Sequence, residues 1–225
     1  MFLSQIPGFQ EELAAASRDN SESRDFAFLD LPTRICGVEV CLMTLRQYIR
    51  LHLLRNPFIC GGQVLARDIA QILWILSPYY IEPFAFGLSP ARARSRRSLA
   101  TRRRRQIVGG FSEIEFSKAK SEISDFVDRM LEDAPGGNNS GTIPVTSSTA
   151  VIIEFIAEAY GWPQETIGAD GLPVPRGGIL DLPLPAIYQH IRRIILLKNP
   201  TAAIVDRKTD SIKRKYTQHF LKGQK

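Results

Sequence analysis

Apolar residues recur at spacings of three and four in successive segments of this chain, and most of these segments end on a helix-stopping pair. Asn56-Pro57, Ser77-Pro78 and Asn199-Pro200 are such stops, because proline disfavours helical geometry in the residue before it. The spacing predicts a helix over 45–55, capped by Thr44. Gln47 completes a capping box there, and Leu45, Tyr48, Ile49, His52 and Leu53 fall on one face. Further helices are predicted over 64–76, 112–131, 149–160 and 183–198, with Pro183 at a permitted first-turn position. The segment 149–160 is the most uniformly apolar and reads as central, and Gly161 suits its C-terminal cap. The predicted fold is therefore all-α, a compact bundle of about five helices with flexible Arg-rich and Pro/Gly-rich connections.

Composition shifts divide the chain further. Residues 1–30 read as a loosely ordered arm with a short helix at 9–16. Residues 31–90 form an N-terminal helical part, with Gly37 turning the chain into an extended piece over 38–43. Residues 111–204 form a C-terminal helical part, followed by a basic tail over 205–225. The breaker cluster 133–141 and the Pro/Gly-rich stretch 163–178 read as surface loops. Leu53-Leu54-Arg55-Asn56-Pro57 is echoed by Leu196-Leu197-Lys198-Asn199-Pro200. Duplication and a chance recurrence of a favoured stop both account for it.

The net charge of +6 is concentrated in one place. Arg92, Arg94, Arg96, Arg97, Arg102, Arg103, Arg104 and Arg105 fall within fourteen residues that contain no acid, and without these eight charges the rest of the chain stands at −2. Self-repulsion and scarce apolar residues predict a solvated linker or frayed helix over 91–110. Non-specific contact with a polyanion is the second reading of the same arginines, since each neutralised phosphate releases counterions. A membrane-surface role is the third.

Searches for chemistry return little. No glycine pair is followed by Lys-Ser or Lys-Thr, no G-x-G-x-x-G occurs, and Ser140 is misplaced for a nucleophile elbow. Cys36, Cys41, Cys60 and His52 lack the close cysteine pair of structural zinc sites, and His52 reads as a core histidine. No enzyme, cofactor or metal is expected. The odd cysteine count points to free thiols in a reducing cytoplasm. The amino-terminal stretch lacks a basic n-region, and the apolar window 69–86 is too interrupted to span a membrane.

Rings are the remaining feature. Trp74, Tyr79, Tyr80 and Phe84 cluster behind the second predicted helix, and Trp162 stands alone. Helices of about twelve residues do not hide every such ring, so an apolar surface for a partner helix is a second reading beside core packing.

Several ordered phrases add a family likeness. They are Pro32-Thr-Arg-Ile-Cys-Gly37, Met43-Thr-Leu45, Asn56-Pro-Phe58, Gly61-Gly62 and Asp68-Ile-Ala-Gln-Ile-Leu-Trp-Ile-Leu-Ser-Pro78. Later come Ala159-Tyr-Gly-Trp-Pro163, Ile179-Leu-Asp-Leu-Pro-Leu184, Gln189 and Asn199-Pro200. Over 31–80 and 150–200 the chain resembles the tail assembly chaperones of tailed phages and prophages. The resemblance implies a non-enzymatic helper in the host cytoplasm during virion morphogenesis. Its partners would be tape-measure and tail-tube proteins, and it would self-associate. Trp74, Tyr79, Tyr80, Phe84 and Trp162 are the expected protein-binding residues. The arginine run and the Pro/Gly-rich stretch 163–178 look like insertions that proteins of that family do not need.

Overall fold

A computed structural model describes residues 7–15, 33–80, 89–108, 113–132, 149–166, 168–169, 177–201, 212–213 and 215–217. Mainly helical, as the spacing predicts, it carries one small sheet. The sheet is a hairpin of β1 (Thr33–Ile35) and β2 (Val38–Val40), paired antiparallel with Ile35 opposite Val38. Both turn residues, Cys36 (φ 48°) and Gly37 (φ 77°), are left-handed, the geometry that matches strand twist in a two-residue turn. Gly37 adopts it freely. Cys36 does not, and Glu122 compensates by accepting its backbone N–H at 2.9 Å.

A helical segment over 9–15, as expected, precedes the hairpin; the helices that follow it are α1 (Leu45–Leu53), α2 (Pro57–Cys60), α3 (Ala66–Leu76), α4 (Pro90–Val108), α5 (Glu113–Glu132), α6 (Thr149–Tyr160) and α7 (Leu184–Lys198), with a 3-10 turn at Ile179–Asp181. The capping box at Thr44 is present: Gln47 N–H donates to Thr44 Oγ1, and Thr44 N–H donates to Gln47 Oε1. Gln47 Nε2 goes on to donate to the Ile75 carbonyl at 2.7 Å, so the cap of α1 also ties down the last turn of α3. Gly161, at φ 65°, donates to Ala157 O and closes α6 as expected.

The centre of the protein is α3, which packs against α1, α4, α5 and β2. Its residues Ile69, Ala70 and Ile72–Leu76 are all buried. The other deeply set helix is α7, with Leu184, Ile187, Ile191 and Ile194 inside. By contrast α6, read from the sequence as central, buries only Ile153 and Ile156 and leaves Val151 outside. Its apolar residues surround the helix instead of forming a stripe, and density of apolar residues is not the same as an inward face.

Two further expectations are corrected. The face expected of α1 is rotated: Leu51 is fully buried, whereas His52 and Leu53 are exposed. His52 is thus no core histidine. Of the two readings of the arginine run, solvated linker or frayed helix, the helical one is what the structure has, and unfrayed: 19 continuous residues packed along α3. Ala93, Arg96, Ala100, Arg104 and Ile107 recur at three and four and form its inner face, with Ala100 buried. The two alanines let the backbones approach without a bulky apolar stripe, and such a stripe is what a sequence search looks for.

The amino-terminal ends of α1 and α7 are joined by a short backbone ladder. Leu45 N–H donates to Leu182 O and Leu184 N–H donates to Met43 O. Arg46 reinforces this junction. Its Nε lies 2.8 Å from Asp181 Oδ1 and its Nη1 lies 2.7 Å from Glu165 Oε2. Burial opposes the charge on Arg46, but the two carboxylates outweigh it and hold its pKa above the usual value. Arg46→Ala leaves both acids half-buried without their cation and is expected to cost about 2–3 kcal/mol in urea unfolding. Arg46→Lys recovers little of this, because a point charge cannot bridge both acids as the fork does.

Near the ends of the chain, Phe9 packs edge-on against Tyr216 with centroids 5.3 Å apart, and Lys215 Nζ lies 2.8 Å from Glu12. The amino- and carboxy-terminal segments therefore meet. The loop over 133–141 and Phe84 lie outside the described residues, as do most of residues 1–30, half of 163–178 and most of the tail.

Candidate interaction surfaces

The expected protein-binding residues separate into two ring groups. In the first, Trp74 projects inward from α3 and is only 4% exposed. It is therefore core, and its assignment as a contact residue is corrected: in the last turns of α3 every side from Ile72 to Leu76 is covered. Tyr80 packs edge-on against it, with centroids 5.9 Å apart. Tyr79, held by the Ser77 hydroxyl accepting its backbone N–H, points outward and is 70% exposed.

In the second group, Trp162 stacks on Tyr160 at 4.8 Å, and the His190 ring stands edge-on to both. The sequence singled out Trp162 alone; its partners come from two helices that only the fold brings together. Trp162 keeps 37% of its surface exposed. Among the described ring contacts, none joins this group to Trp74 and Tyr80.

His190 is half-buried, and this desolvation, with the Arg193 charge second, lowers its pKa below the ordinary histidine value. Folding thus favours the neutral imidazole. The stabilisation is complete above the unfolded pKa of about 6.5 and is lost as pH falls through the lower folded value. The thermal midpoint is expected to drop on acidification below about 6.5, and His190→Phe, which keeps a ring but no proton, is expected to flatten that slope.

The carboxy-terminal turns of α1 and α7 expose leucines as well. Leu53 and Leu197 are about 70% exposed, and Leu54 and Leu196 somewhat less. These are the leucine pairs of the sequence echo. The asparagines that follow share one local role, since Asn56 Oδ1 accepts from Phe58 N–H and Asn199 Oδ1 accepts from Thr201 N–H. Beyond that they differ. Asn56 is fully buried and bonds to α3, while Asn199 lies at the surface. The echo is a repeated helix stop in two unlike surroundings.

The third surface is α4. Arg92, Arg94, Arg97, Arg102, Arg103 and Arg105 are exposed, and Arg96 and Arg104 are half-buried against the body. A depression of about 470 Å3 runs along its outer side, lined by Ser98, Thr101, Arg102, Arg105 and Gln106. A second, of about 400 Å3, lies where Cys36, Gly37 and Val38 of the hairpin meet Arg103, Gln106, Ile107 and Glu115.

Cys36 at that second depression is not a nucleophile. Burial and its hydrogen bond to Glu122 push its pKa up to about 11, so it remains a thiol at neutral pH. Among the described residues no three histidines, cysteines or acids are grouped to hold a metal ion, and no helix is long and apolar enough to cross a membrane. No known protein family, curated protein or solved structure matches this chain.

Proposed function

We propose that this chain is a non-enzymatic assembly adaptor of the tail-assembly-chaperone kind, acting in the cytoplasm and binding tape-measure and tail-tube proteins. The observation that carries the reading is Tyr79: a ring 70% exposed, standing beside Tyr80, which packs on the buried Trp74. An aromatic ring this exposed, on a backbone held by the Ser77 hydroxyl, offers a large apolar contact with few rotatable bonds to an apolar partner. Trp162, whose ring is itself braced by Tyr160 and His190, supplies a second anchor. A long amphipathic helix lacking its own partner exposes apolar stripes that such anchors cover.

The test is co-expression with the tape-measure protein of the encoding genome. Wild-type chain is expected to keep that protein soluble and to elute with it as one species. The double variant Tyr79→Ser, Trp162→Ser is expected to fold normally and to lose most of the complex. A wild-type chain that leaves the tape-measure protein insoluble and elutes alone contradicts the reading.

A further inference from the structure

The outer side of α4 carries a binding function separate from the ring anchors. We propose that it is a docking surface for the phosphate backbone of nucleic acid, read by charge and shape and not by sequence. The helix has 19 residues and no acid. At 1.5 Å per residue, Arg92 to Arg105 extend about 20 Å along its axis, roughly six phosphate steps of one strand. Its inner face is fixed on α3, so the backbone positions that carry the exposed arginines are set before any ligand arrives.

The chemistry of the surface selects the occupant. Between the exposed arginines lie Ser95 and Ser98, and Gln106 follows them, all exposed groups of a kind that contacts phosphate oxygens. A protein interface wants an apolar centre, and among the described residues the only large apolar side chain exposed on this helix is Leu99, 39% exposed. No aromatic residue lies on α4 to stack on bases, so base identity goes unread. Like charges at Arg92/Arg96, Arg94/Arg97 and Arg102/Arg105 repel one another along the helix. A polyanion relieves this strain.

The experiment measures fluorescence anisotropy of a random 30-base-pair DNA duplex with the full chain, from 50 to 200 mM KCl. Five phosphate contacts predict a log-log salt slope of about −4.5 and a loss of affinity of roughly 500-fold over that range. Arg102→Gln alone is expected to reduce the slope by about 0.9. Arg92→Gln, Arg94→Gln, Arg102→Gln and Arg105→Gln together are expected to reduce affinity at 50 mM at least about 100-fold. The same four positions changed to lysine are expected to keep most of the affinity. Circular dichroism of each variant is expected to match wild type, and the glutamine quartet is expected to melt at a higher temperature. Absence of binding at 50 mM KCl overturns the proposal, as does binding that the single and quadruple variants leave unchanged. Tighter binding to poly-glutamate of matched charge than to DNA overturns it in favour of an acidic protein partner.

Discussion

Asn56→Ala is expected to lower folding stability by about 3 kcal/mol, the combined loss of a cap and of buried hydrogen bonds. Asn56 is fully buried and does three jobs at once. Its Oδ1 caps α2 by accepting Phe58 N–H, its Nδ2 donates to Asp68 O at 3.1 Å, and the same nitrogen donates to Gln71 Oε1 at 3.0 Å. Its own N–H donates to Leu51 O. Alanine keeps only the backbone bonds, that one and those its carbonyl accepts from Ile59 and Cys60 N–H, and the acceptors on α3 lose their donor. Asn56→Asp separates the contributions, since aspartate still caps α2 but brings an anion to two acceptors. It is expected to be at least as damaging as alanine. Urea unfolding measures both, and for a chain of this size the thermal midpoint is expected to fall by roughly 10 °C. An aspartate variant as stable as wild type would reduce Asn56 to a helix cap.

Gly178→Ala is expected to cost a similar amount, about 3 kcal/mol, by a different route. Gly178 is extended, so backbone strain is not the reason. A Cβ there would lie 2.5 Å from Gln164 O and 2.6 Å from Glu165 Cα, both backbone atoms. They cannot swing aside, because Ile179 N–H donates to Pro163 O and Leu180 N–H donates to Gln164 O. The strand-like pairing of these two segments holds Glu165 toward Arg46 and sets the path of the chain after Trp162. The substitution is therefore expected to expose 162–166 to limited proteolysis as well as to reduce stability. A wild-type digestion pattern with wild-type stability would mean that the two segments are not fastened together.

What the sequence made legible was local. The capping box at Thr44, the Asn-Pro stops and the glycine cap at Gly161 each depend on residues within a few positions of one another. The capping box, the glycine cap and the Asn199-Pro200 stop appear where the spacing puts them, whereas α1 ends at Leu53 and Asn56-Pro57 instead opens the short helix α2. Legibility ended where distant segments meet. Nothing around Arg46 signals Asp181, which lies 135 positions away, and nothing around Gly178 signals that another backbone passes within a methyl radius. The inner side of α4 was hidden for a further reason. Small residues dock a helix closely, yet Ala93 and Ala100 contribute almost nothing to an apolar pattern. The charge count dominated the reading of that segment. Of the ring cluster, position alone did not distinguish Trp74, on the buried side of α3, from Tyr79 five residues later, which faces outward.

The docking of α4 supports both the corrected fold and the charged surface, and amide hydrogen exchange tests it directly. Amides over 97–107 are expected to exchange far more slowly than an unstructured arginine-rich peptide, and to be deprotected by Ala100→Arg, which places a long side chain against α3. Exchange of these amides at the unstructured rate in the wild-type protein would show the arginine run to be a solvated connection, and would contradict the account.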